Sequence, residues 1–415
     1  MGLLVLCSAL FASGAFAAAP DASLTLSQVI ARVLDTNPQL NAADFDARAS
    51  AERIRQQSQS LPYTLGVDLE NVAGSGTASG VDGMETTLSL GRVLELGDKP
   101  RRRGEVAQLE AGLLRHDQDA RRLDLLAETA RRYLALARAQ AEHELAEQRV
   151  ALMRRTAEVV AQRVRLGKVS AAEHSRVRIE LARAELALEE TDHLLENGRR
   201  RLAVMWGAFE PDFARVQAGL FQLDPEPDFA TLDGAIGRNP AIARLATRER
   251  LSVARLLLAR TRSRPDMDLR VGVRHLNATD DAGLVFSLRM PLGSAGRSNA
   301  YVDEAAALAA REPLLAKDQR LALRATLSSL HLELRHARDR FETYQDRIIP
   351  AAGQSLSEYS QGYAAGRYSL LELSAAQNTL LEARLEALSA AADHHAAHIE
   401  IDRLIGTTPV NGVSP

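Results

Sequence analysis

Four short stretches of the chain alternate apolar and polar residues with a period of two, and nearly everything between them repeats with the period of a helix. In the first, Tyr63, Leu65, Val67 and Leu69 alternate with Thr64, Gly66, Asp68 and Glu70. A partner at 86–94 sets Leu88 and Leu90 against Ser89 and Gly91. The third sets Met267, Leu269, Val271 and Val273 against Asp266, Asp268, Arg270 and Arg274, and the fourth, at 284–292, sets Leu284, Phe286, Leu288 and Met290 against Ser287 and Arg289. Polar segments, a glycine-rich one at 73–83 and an Asn- and Asp-bearing one at 277–282, join them in pairs, which predicts two amphipathic hairpins. Strands of roughly 10 residues, one face aliphatic and the other charged, have the length and pattern of transmembrane β-strands. Four strands cannot close a barrel, and an open edge in lipid leaves backbone groups unsatisfied. Strands of this kind in a membrane therefore require several copies of the chain to share one barrel, and three copies would supply twelve.

The helical runs are duplicated. Short helices near 24–35 and 231–238 each end at Asn-Pro, Asn37-Pro38 and Asn239-Pro240, where the proline can open a second helix. Those second helices reach Pro62 and Pro265, where the period switches from helix to strand. After each hairpin comes a long helix-favouring run that turns and returns: 100–166 with 170–206, and 297–365 with 369–405, the latter expected to be kinked or interrupted near Pro313 and Pro350. The first would be about 100 Å long at 1.5 Å per residue. At the turns, Gly167, Lys168, Ser170 and Glu173 correspond to Gly366, Arg367, Ser369 and Glu372 at a constant offset of 199 positions. A glycine that stops one helix, followed by a serine and, three residues on, a glutamate that cap the next, describes a tight helical hairpin. The predicted organisation is a first repeat at 18–228, with hairpin 63–94, helical hairpin 100–206 and a proline-bearing connector from 207. A second repeat at 229–406 has hairpin 266–292 and helical hairpin 297–405, followed by a disordered tail at 407–415.

Composition supports this picture: 46% hydrophobic, 25% charged and only 4% aromatic residues suit long amphipathic helices. The net charge is −3, and arginines interleave with acids at helical spacing, as on solvated, ion-paired helix faces. Nothing resembles a nucleic-acid footprint. An uncharged apolar segment at 3–19, with Ala-Phe-Ala at 15–17, predicts a secretory signal peptide at 1–17. The single cysteine, Cys7, falls inside it, which leaves the mature chain without a disulfide or a thiol ligand.

Taken in order, these features resemble the TolC family of trimeric outer-membrane factors over the whole mature chain. The most specific stretch, 361–377, is similar to the family's Y-x-x-G-x-x-S-L-L-E-L-x-x-A-Q signature, with Pro350 ahead of it. The resemblance implies a mainly α protein with a membrane β-barrel: a homotrimer with a shared 12-stranded barrel, four strands per subunit, on a long periplasmic α-helical coiled-coil barrel. It implies an outer-membrane location with a large periplasmic portion. The partners implied are outer-membrane lipid, a periplasmic adaptor and an inner-membrane RND-type transporter, with no nucleic acid and no cofactor. Residues 88–103 are similar to a segment of outer-membrane components of cobalt, zinc, cadmium and copper efflux systems, although Asp98 replaces a usual glycine and Pro100 interrupts the lysine-arginine pair. The expected function is passive export of heavy-metal cations. Drug efflux and type I secretion are the alternatives within the family, and a periplasmic adaptor or coiled-coil scaffold lies outside it.

The candidate site is the pair of tips. By resemblance, Gly167, Lys168, Gly366 and Arg367 form the turns that meet the adaptor, and Tyr363, Arg367, Glu372 and Glu173 hold the entrance. Glu173 and Glu372 are also what ordinary helix capping would use. Ala375 stands where many members carry a second carboxylate, so an acidic entrance ring would rest on Glu372 alone. His394 and His398, four residues apart, share a helix face at a spacing that can bind a transition metal, against the plainer reading of a solvated face beside His395. No nucleophile, zinc-enzyme or nucleotide-binding motif is present, so no catalytic residues and no enzymatic activity are expected.

Overall fold

The computed structural model describes residues 23–72, 75–76 and 80–408. The predicted signal segment with Cys7, part of the 73–83 turn and most of the 407–415 tail lie outside the described residues. The elements, in order, are β1 (Ser23–Leu24), α1 (Leu26–Thr36), α2 (Pro38–Ser58), β2 (Tyr63–Glu70), β3 (Glu85–Leu94), α3 (Lys99–Arg165), α4 (Ala171–Ala203) and β4 (Arg215–Val216). They continue with α5 (Phe229–Ala235), α6 (Pro240–Thr261), β5 (Met267–Leu276), β6 (Asp281–Arg289), α7 (Ser294–Thr343), α8 (Ile349–Ala364) and α9 (Leu370–Ile405). Asn37 and Asn239 explain the Asn-Pro punctuation. Each side-chain oxygen accepts the second amide of the following helix, from Gln39 at 2.8 Å and from Ala241 at 2.7 Å.

The chain divides into two compact units, one drawing on residues up to 40, 123–232 and from 327 on, the other on 41–122 and 233–326. Each unit takes segments from both sequence repeats.

In the strand-bearing unit, one antiparallel sheet has the order β2-β3-β5-β6. The repeats meet in its middle, where β3 pairs with β5, while β2 and β6 each have a single partner and form the edges. The register lines up whole rows: Leu65, Leu90, Val271 and Phe286 lie side by side, as do Val67, Leu88, Val273 and Leu284. These rows are exposed, Leu65 by 73% and Leu284 by 87%, so the sheet presents an aliphatic band instead of burying it. The opposite face is charged and internally paired. Arg274 reaches Glu70 at 2.7 Å and Glu85 at 2.8 Å, and Arg270 reaches Asp268 at 3.1 Å. A small helical core of Val106, Leu251 and Ala254 supports the unit.

α7 runs through Pro313 without an interruption, so of the expected kink or interruption there the interruption does not occur. Pro350 does perturb its helix. Lacking an N–H to bond four residues back, it is preceded by a turn of π-helix at Tyr344–Ile348 that widens the spiral.

In the other unit, α4, α8 and α9 pack with the second part of α3. α9 is alanine-rich on its buried side, with Ala383, Ala387, Ala390 and Ala391 nearly inaccessible, which lets neighbouring backbones approach closely. One further element has no counterpart in the sequence pattern. Ser23–Leu24 pairs in parallel with Arg215–Val216, tying the start of the described chain to the connector between the repeats. Tyr133, buried on α3, fastens that pair by donating its hydroxyl to the carbonyls of Leu24 and Gln217. Two-residue strands are too short to show alternation.

Candidate functional site: the paired helix tips

Both tips are built by the same backbone device. In the first, Gly167 has φ +69°, its amide bonds to Val164 O at 2.9 Å, and the Lys168 amide bonds to Arg163 O at 2.9 Å. In the second, Gly366 has φ +76°, its amide bonds to Tyr363 O at 3.0 Å, and the Arg367 amide bonds to Gly362 O at 2.8 Å. This is the Schellman closure, and its left-handed residue is why glycine occupies both positions.

The next helix starts differently in the two copies. Ser170 and Ser369 each accept the amide three residues on, from Glu173 and Glu372, both at 3.3 Å. Only Glu372 completes the reciprocal box, its carboxylate accepting the Ser369 amide and hydroxyl, each at 2.8 Å. Those bonds hold the Glu372 carboxyl below its usual pKa. In the first copy the Glu173 side chain makes no such return to its capping serine, and its charge acts on what lies nearby.

What lies nearby is Tyr363. The two tips share a hydrophobic cluster of Val160, Val177, Tyr363, Leu370 and Leu373, so Tyr363 is buried. The Arg163 guanidinium covers its ring, 4.5 Å from the centroid, and donates to the Tyr363 carbonyl. The Tyr363 hydroxyl itself is buried and makes no hydrogen bond of acceptable geometry. Burial pushes its pKa up, with Arg163 opposing that shift and the negative charge of Glu173 reinforcing it. The structure therefore joins the two tips through Arg163 and Tyr363, and Arg163 is a residue that the sequence pattern does not single out. Its only signal is an arginine in the last turn before a stop glycine.

Two further contacts join the tip region. Gln377, buried on α9, donates to Thr156 Oγ1 of α3 at 2.9 Å. Tyr368 folds its ring over Gly362 so closely that an added Cβ would overlap a ring carbon, and it packs at 4.7 Å on Tyr359. Lys168 and Arg367, by contrast, are exposed and form no ion pair among the described residues. Ala375 is exposed on α9. The tips thus present cationic side chains outward over a tightly packed base.

The histidines are not on a solvated face. His394 and His395 are buried against the core, where Ala390, Ala391 and Ala397 line the same helix. His395 bonds to Leu220 O at 3.0 Å, and His398 Nδ1 lies 3.4 Å from Asp402. Both nitrogens of His394 lack a partner, and burial lowers its pKa to about 4. His398 is shifted upward by Asp402. Among the described residues no group of three His, Cys, Asp or Glu side chains is arranged to hold a metal ion. No described helix is long and apolar enough to cross a membrane.

A model of the family described as outer membrane efflux protein matches residues 29–208 and 231–407, one segment for each repeat. The chain belongs to the outer membrane efflux protein family. It is an outer-membrane efflux channel, and the match in two segments shows its internal duplication. Among curated proteins it is similar to the cobalt-zinc-cadmium resistance protein CzcC of Cupriavidus metallidurans, with 27% identity over 387 residues, 92% of this chain and 90% of that one. Its fold is shared with solved outer-membrane channels. A CusC structure superposes with a TM-score of 0.76 at 16% identity over 92% of both chains. The Campylobacter jejuni CmeC outer membrane channel gives 0.76 at 14% identity over 98% of this chain and 94% of that one. The mainly α fold with strands for a membrane barrel and helices for a periplasmic tunnel is therefore the fold of this efflux family.

Proposed function

We propose that the protein works as a homotrimer whose three sheets close one twelve-stranded barrel, and that it passes heavy-metal cations delivered by an inner-membrane RND-type pump through a periplasmic adaptor. The observation that carries the assembly is the sheet itself: four strands with two edges, β2 and β6, each paired on one side only, and an aliphatic band on the exposed face. In hydrocarbon each unpaired edge group costs several kcal/mol, so β6 of one subunit needs β2 of another. The cargo rests on the similarity to CzcC, named for cobalt, zinc and cadmium resistance, across most of both chains.

In this reading the exposed turns at Gly167, Lys168, Gly366 and Arg367 meet the adaptor. Tyr363, Arg367, Glu372 and Glu173 form the entrance, and opening displaces the tips. Energy comes from the pump, since the chain carries no nucleotide-binding motif. Native mass spectrometry of the protein extracted from outer membranes tests the assembly: a trimer is expected, and a monomer or dimer would refute it. A deletion strain tests the cargo, with reduced tolerance to cobalt, zinc or cadmium expected and unaltered tolerance to all three counting against the metal assignment.

A further inference from the structure

Where α3, α4 and α9 run alongside one another, a small cavity of about 90 Å³ is lined by Arg149, Arg176, Glu180, Ser374, Gln377 and Asn378. Its charges do not balance. The carboxylate of Glu180 is taken by Arg183 at 3.0 Å, while Arg149 and Arg176 form no ion pair among the described residues. Arg176 reaches solvent at the rim, but the Arg149 Nε is buried and has no acceptor at all. A buried donor without a partner is rare, and a charged one is costly. The Gln377 amide is already committed on one side to Thr156, 2.9 Å away, which fixes one wall of the cavity.

We propose that this cavity binds one small inorganic oxyanion, held between Arg149 and Arg176 with the Ser374 hydroxyl and Asn378 amide as neutral donors. A water molecule would satisfy one N–H but would leave more guanidinium than carboxylate charge, Arg149 and Arg176 against Glu180, around the same space. An oxyanion answers both needs, because its oxygens match the planar fork of arginine and its charge cancels the excess. The bound anion would brace α3, α4 and α9 against one another beneath the tips. Every lining residue belongs to one chain, so the site goes beyond the trimeric and metal-export reading and does not depend on it.

The test is thermal unfolding of the purified full-length protein in detergent, with sodium gluconate replaced by sodium phosphate at constant ionic strength. Gluconate is too large for the cavity. Phosphate also stabilises proteins in general by exclusion from their surfaces, so the informative quantity is the difference from Arg149→Gln and Arg176→Gln. A saturable rise about 3 °C larger in the natural protein than in either variant is expected. An equal rise in all three would overturn the site. Should a variant fail to fold, isothermal titration of the natural protein with phosphate decides the matter: one site per chain is expected, and the absence of saturable binding refutes it.

Discussion

The guanidinium of Arg163 stacks on the ring of Tyr363, 4.5 Å from its centroid, while bonding to that residue's own carbonyl. One side chain from the first tip thus grips both the side chain and the backbone of the second. A cation held over an aromatic ring contributes about 0.5–2 kcal/mol and a charged hydrogen bond about as much again. Arg163→Ala is therefore expected to destabilise the tips by roughly 1–3 kcal/mol and to raise the basal conductance of the channel in planar bilayers. A closed channel with unchanged conductance would show that this contact does not hold the entrance.

Gly362 and Tyr368 form a second test of tip packing. A methyl group at position 362 would occupy the space of the Tyr368 ring, so Gly362→Ala forces Tyr368 out of its seat. A loss of about 1–3 kcal/mol is expected in chemical denaturation. Gly362→Ala with Tyr368→Ala should be less destabilised than the sum of the single changes, and simple additivity would argue against the clash.

Glu372 links tip capping to acidity. Its folded pKa lies below the ordinary value of 4.5, so its contribution is present above that pH and is lost as pH falls through the lowered folded value. Glu372→Gln keeps the geometry of the capping box but not the charge. Amide exchange near Ser369 should be faster in this variant than in the natural protein at pH 7, with the difference fading once the pH falls through the lowered folded value. A difference that persists in acid would mean the charge is not the cause.

His394 works in the same direction for a different reason. Burial comes first among the causes that lower its pKa to about 4, followed by the charges of His395, His398 and Arg338. As pH falls from 6.5, the ordinary histidine value, the unfolded chain takes up a proton that the folded site refuses, so stability declines between pH 6.5 and about 4. The full effect is on the order of 3 kcal/mol, and His398, shifted upward by Asp402, opposes it in part. His394→Leu should raise the melting temperature, more at pH 5 than at pH 8. An equal gain at both would place the benefit in packing alone.

Much of this architecture is legible in the chain because it rests on local periodicity and backbone need. The alternation of Leu65, Val67 and Leu69 is a property of a few consecutive residues, and Gly167 and Gly366 are required by a turn that only a left-handed residue closes. Arg163 is not legible, since its partner stands 200 positions away and nothing adjacent to it distinguishes one arginine from the many others. The burial of His394 and His395 is hidden for the same reason: a polar residue on an alanine-rich stripe reads as solvated unless the helix that covers it is known. Pro313, exposed on α7, lies inside a helix that continues past it, which single-residue propensity does not foresee.

The seam between β3 and β5 carries a consequence for ancestry. Within one chain it joins two hairpins from duplicated halves, just as β6 of one subunit would join β2 of the next in the trimer. The barrel would then consist of six comparable hairpins, and covalent linkage accounts for only three of its six seams. A half-length precursor with one hairpin per chain would build the same cylinder as a hexamer, and gene fusion would halve the number of parts that must find one another.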